Sequence, residues 1–79
     1  MRFLNEQTNM KIDRLILYLT RDEAQEMVDG ILDLLKNSHK QHVHISAEDY
    51  QKELTCAIYD VKDLTNFDER SQKLILQDK

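Results

Sequence analysis

Apolar residues along this chain change their spacing at Thr20, and the change separates two elements. Before it, the order IDRLILYL from Ile12 to Leu19 puts Leu15, Leu17 and Leu19 on one side of an extended chain and Ile16 and Tyr18 on the other. This predicts a strand that is apolar, and covered, on both faces. After it, Ala24, Met27, Val28, Ile31, Leu34 and Leu35 recur at three- and four-residue steps, which predicts a helix from Arg21 to about Asn37 with one buried face. Thr20 and Glu23 have the Ser/Thr-x-x-Glu spacing of a capping box, in which each side chain takes a backbone N–H that the first helical turn leaves unpaired. Gly30 lies inside the helical run, where it costs about 1 kcal/mol relative to alanine. A tight contact with a neighbouring element would account for it, and so would simple tolerance.

Beyond the polar break NSHKQ, Val43 and Ile45 alternate with His42, His44 and Ser46, the pattern of a half-buried edge strand. From Glu53 to Val61, Leu54, Cys56 and Ile58 share one face and Thr55, Ala57, Tyr59 and Val61 the other, which predicts a central strand. The short AEDYQK connection makes these two an antiparallel hairpin, without the Asn-Gly or Asp-Gly of a two-residue turn. Thr65 or Asn66 is positioned to cap a short last helix carrying Phe67, Leu74 and Ile75 on one face. Residues 1–11 read as a brief strand and turn or as a loose end. The expected fold is α+β: a small, mainly antiparallel sheet of three to four strands with two helices on one face, in the order β-α-β-β-α.

Seventy-nine residues that are 41% hydrophobic predict one small domain over 1–79, with a stability of roughly 4 to 12 kcal/mol. An enclosed substrate pocket would compete for the few apolar side chains available, so composition favours a binding protein over an enzyme. The net charge of −4, with no basic face, points away from nucleic acid and toward a basic protein partner. Cys56 is the single cysteine and the chain has no signal peptide and no apolar run of about 18 residues, which predicts a cytoplasmic protein without a membrane span.

Asp22, Glu26, Asp29 and Asp33 are spaced by four, three and four residues, which at helical pitch makes one narrow carboxylate stripe opposite the apolar face. Like charges at that spacing repel by about 0.2–0.5 kcal/mol per pair. A cationic partner surface would explain why the cost is tolerated; a solvated outer face would also produce the stripe. His42 and His44 project from one side of a strand, but zinc normally needs three or four protein ligands, so they are weak metal candidates and polar edge-strand residues is the better account. No cofactor is called for. Cys56 reads as a small buried hydrophobe rather than a nucleophile, and Glu48, Asp49 and Glu53 as turn carboxylates without the raised pKa that acid catalysis requires. Tyr18, Tyr50 and Tyr59 are too scattered for a base-stacking platform and read as core and turn packing.

The segments LYLTRDEAQEMVDGILDLL, HVHI and ELTCAIYD together resemble a family of small immunity proteins from bacterial polymorphic toxin systems, over about residues 15 to 60. Lys40 and Gln41 before HVHI, and the longer tail after Tyr59, depart from that pattern. The resemblance implies a cytoplasmic, non-enzymatic protein that binds and blocks a cognate toxin, often a nuclease with a basic cleft. It transfers no binding residues; the acidic stripe is a candidate contact surface on charge alone. Two other classes stand beside it: a self-associating module, such as a homodimer joined through apolar strand faces, and a small enzyme with an intersubunit site built from His42, His44 and Cys56.

Overall fold

A computed structural model describes residues 1–37 and 39–79. The chain is α+β, as the sequence predicts, in the order β-β-α-β-β-α: β1 (Phe3–Asn5), β2 (Met10–Ile12), α1 (Arg21–Lys36), β3 (Val43–Ser46), β4 (Glu53–Cys56) and α2 (Glu69–Gln77). The strands form two separate two-stranded antiparallel sheets rather than one sheet of three or four, so α1 makes no crossover within a sheet. The chain divides into two compact units, one of residues Tyr18–Ile58 and the other of Met1–Leu17 with Tyr59–Lys79.

The Tyr18–Ile58 unit is α1 laid on the β3–β4 hairpin. Leu34, Val43 and Ile45 are its buried core, with Met27, Leu54 and Cys56 packed against them. Val43 pairs with Cys56 and Ile45 with Leu54, so one face of the hairpin carries the core while His44 and Thr55 face outward. A Cβ built on Gly30 would lie 3.2 Å from Cγ2 of Val43, closer than side chains normally approach. The tight-contact explanation of this glycine is therefore the right one: its missing side chain lets helix backbone sit against β3. The hairpin turn closes through Ala47 N–H to the Lys52 carbonyl and Tyr50 N–H to the Ala47 carbonyl, both 2.9 Å, with Tyr50 in the left-handed region at φ 58°.

Packing on so narrow a sheet changes which helix residues are buried. Ala24 and Ile31 are half-buried, but Val28 and Leu35, expected inside, are exposed, because two strands cover only the side of α1 that carries Met27, Gly30 and Leu34. Likewise β4 ends at Cys56 rather than Val61, and it is not a central strand. Its partner β3 begins at Val43, opposite Cys56, so continuing the register past Cys56 finds no strand to pair with.

In the other unit, residues 1–12 form a hairpin with Phe3 opposite Ile12 and Asn5 opposite Met10. Asn5 closes its turn, accepting from Gln7 N–H (3.0 Å) and Thr8 N–H (3.2 Å) on the side chain and from Asn9 N–H (2.8 Å) on the carbonyl. Arg70 of α2 donates from Nε and Nη2 to the Asn9 carbonyl and Arg2 donates from Nε to the Leu74 carbonyl, tying hairpin and helix together. Leu74 and Ile75 are buried there. The α2 cap is Asp68, whose side chain accepts from Ser71 N–H at 2.8 Å, rather than Thr65 or Asn66; those residues lie in the preceding turn, where Asp63 holds Thr65.

The largest departure concerns Ile12–Leu19. Only Ile12 lies in a strand, and Leu15, Ile16, Leu17, Tyr18 and Leu19 are all exposed. Tyr18 therefore packs in no core. A strand needs a partner for its N–H and C=O groups, and among the described residues none hydrogen-bonds to the backbone of Leu15–Leu19.

Gly30→Ala should leave stability within about 1 kcal/mol of wild type, since a helix-propensity gain of about 1 kcal/mol meets an overpacking cost of similar size. In a Val43→Ala background the overlap is gone, and the same substitution should stabilise by about 1 kcal/mol. Urea unfolding of the four chains measures the difference; equal effects in both backgrounds would show that Val43 does not limit the approach.

Candidate functional site

Helix α1 starts where the sequence says it should, and its first turn fixes the acidic side of the molecule. Thr20 Oγ1 accepts from Glu23 N–H at 3.1 Å while Glu23 Oε1 accepts from Thr20 N–H at 2.9 Å, closing the capping box. The other oxygen, Glu23 Oε2, accepts from Glu48 N–H at 2.8 Å, so one carboxylate joins the head of α1 to the β3–β4 turn. The N–H groups of Thr20 and then of Glu48 hold the Glu23 carboxyl below the usual glutamate range. Sequence reasoning finds the first role and misses the second, because nothing in the order of residues says that Glu48 folds back to position 23.

The four stripe carboxylates do come together along α1, but beside the packed face rather than opposite it. Asp33 forms an ion pair with Lys40, and Asp29 accepts from Gln25 Nε2 at 2.9 Å. Among the described residues, no ion pair engages Asp22, Glu26 or Asp29. Two open clefts flank Glu26 where α1 meets the hairpin. One, of about 520 Å³, runs between Glu26, Asp29 and Asp33 on the helix and Lys40, His42 and His44 across from them. The other, of about 380 Å³, is bounded by Asp22, Glu23 and Glu26 and by Ser46, Glu48 and Tyr50. The exposed carboxylates of Asp22, Glu26 and Asp29 at their edges suit lysine or arginine side chains better than anions.

His42 and His44 stand edge to face with ring centroids 4.8 Å apart on the exposed side of β3. His44 Nδ1 lies 2.9 Å from Thr55 Oγ1, the residue opposite it, and also meets the Glu53 carboxylate. Among the described residues no group of three or more His, Cys, Asp or Glu side chains is placed to hold a metal ion. Cys56 points into the core beneath Val43, away from these imidazoles, and burial pushes its thiol up, the opposite of what an activated nucleophile needs. Among the described residues no helix is long and apolar enough to cross a membrane. The chain matches no protein-family model, and no curated protein or solved structure is significantly similar to it.

Because the Glu23 carboxyl is held below its ordinary range in the fold, its contribution to stability is complete at neutral pH and is lost as pH falls through the lowered folded value. Glu23→Gln should therefore be less stable than wild type at pH 7, and the stability gap should close as pH falls through and below the ordinary glutamate range. A gap that stays constant with pH would show that the carboxylate charge is not what the two N–H groups hold.

Proposed function

We propose that the chain is a non-enzymatic binding protein that docks the acidic side of α1 onto a basic protein surface, in the manner of an immunity protein blocking a toxin. The observation that carries this reading is the division of labour among the carboxylates. Glu23 and Asp33 are spent on contacts within the fold, while Asp22, Glu26 and Asp29 sit exposed along the two clefts, with no cation of the described residues paired to them. Neighbouring carboxylates that repel in the isolated chain gain most when a cationic surface arrives. The net charge of −4 favours encounter with such a surface. The partner's chemistry follows: a protein presenting clustered arginine or lysine, of which a nuclease cleft is one example.

The test is capture from lysate of the native host with tagged protein at low salt, elution with rising salt, and the same capture with Asp22, Glu26 and Asp29 replaced by alanine. Wild type should retain a basic protein that salt releases, and the triple variant should bind it at least about tenfold more weakly at low salt, with a difference that shrinks as salt is added. Asp33→Ala should matter less, because Lys40 already neutralises it. Equal binding by wild type and the triple variant would remove the acidic face from the interaction.

A further inference from the structure

The larger of the two clefts carries a cation of its own. Helix α1 is capped at Asn37, whose backbone N–H donates to the Asp33 carbonyl at 2.9 Å. The Asn37 carbonyl in turn accepts from Lys40 N–H at 3.1 Å, so the chain turns back directly after the helix. Three residues further on, Val43 is seated against Gly30. Lys40 is thus placed from both sides, and its ammonium reaches back across seven residues to the Asp33 carboxylate. Glu26, Asp29, Asp33 and Lys40 all line this cleft. Every one of these residues belongs to the Tyr18–Ile58 unit, as do the contacts that place them.

We propose that Lys40 is a resident counterion, an internal stand-in for the partner's cation that has to leave Asp33 before that end of the cleft takes a basic side chain. The inference rests on the acidic-face reading and adds the regulation of that same site. Among the described residues, Lys40 is the one cation in an ion pair with a carboxylate of the stripe. A carboxylate already paired offers an arriving cation little, because one ion pair is exchanged for another. The same ammonium also weakens the pull of Asp29, which stands one helical turn from Asp33 on the same side of α1.

The contact opens at small cost. The Lys40 and Asp33 side chains are 41% and 44% exposed, and ion pairs so open to water contribute little and are screened by salt. Only the end of the lysine stem takes part, so its release leaves the Asn37 turn and the seat of Val43 as they are. Arginine takes a carboxylate with two parallel N–H groups where lysine offers a point charge, which makes it the cation best fitted to displace Lys40.

The test measures binding of a fluorescein-labelled hexa-arginine peptide to the full chain by anisotropy, at low salt and neutral pH. Lys40→Ala should bind about fivefold more tightly than wild type, and Lys40→Met, which keeps the length of the side chain without its charge, should do the same. Lys52→Ala removes an equal charge from outside the cleft and should change affinity less than about twofold. Asp33→Ala should cost no more than about twofold in wild type but about fivefold in the Lys40→Ala background, where the carboxylate is free to receive the peptide. Equal tightening by the Lys40 and Lys52 variants, or an Asp33→Ala effect that is the same in both backgrounds, would overturn the proposal. So would a Lys40→Met chain that binds as wild type does. Binding that survives replacement of Asp22, Glu26 and Asp29 by alanine would instead overturn the acidic-face reading, and a peptide that binds none of the chains would overturn both.

Discussion

Helix α1 sits against β3 at Gly30, where a side chain would crowd Val43, and the arrangement of the Tyr18–Ile58 unit follows from that contact. Helix backbone rests against Val43 with no side chain between, which brings Met27 and Leu34 down onto the hairpin on either side of the contact. The helix loses about 1 kcal/mol of propensity at that position, and the core gains close packing of Val43 and Ile45, its two most enclosed strand residues. Because α1 is held along this line, the carboxylates one quarter-turn away are carried to the rim where helix and hairpin meet, and there they border the clefts.

A second constraint is sheet width. Two strands are the least that can pair their own backbones, and they cover less of a helix than a broader sheet does. That is why Val28, Leu32 and Leu35 remain exposed on a helix whose periodicity predicts a wider buried face. It is also why β4 stops at Cys56, one residue short of an Ala57 that has no strand opposite it. The alternation beyond Cys56 is real in the sequence, but alternation records which faces are apolar and is silent on whether a partner exists.

What was legible in the residue order was therefore what is settled locally. The capping box at Thr20 and Glu23, the span of α1, the β3–β4 hairpin and its inward Val43 and Ile45 all depend on residues within a few positions of one another, and all appear as predicted. The N-terminal hairpin was readable only as a possibility, because its turn is closed by Asn5 rather than by a glycine pair. Long-range facts escaped: the Glu23 to Glu48 hydrogen bond, the neutralisation of Asp33 by Lys40, and above all the lack, among the described residues, of a backbone partner for Leu15–Leu19. The stripe itself was found by spacing, but its division into structural and exposed carboxylates needed the fold.

The apolar segment and the acidic helix meet at Thr20, whose backbone is still extended (φ −69°, ψ 165°) while its side chain caps the helix. Glu23 then anchors the same turn to Glu48, so the junction is held by hydrogen bonds from both directions and the helix cannot slide relative to the end of the segment.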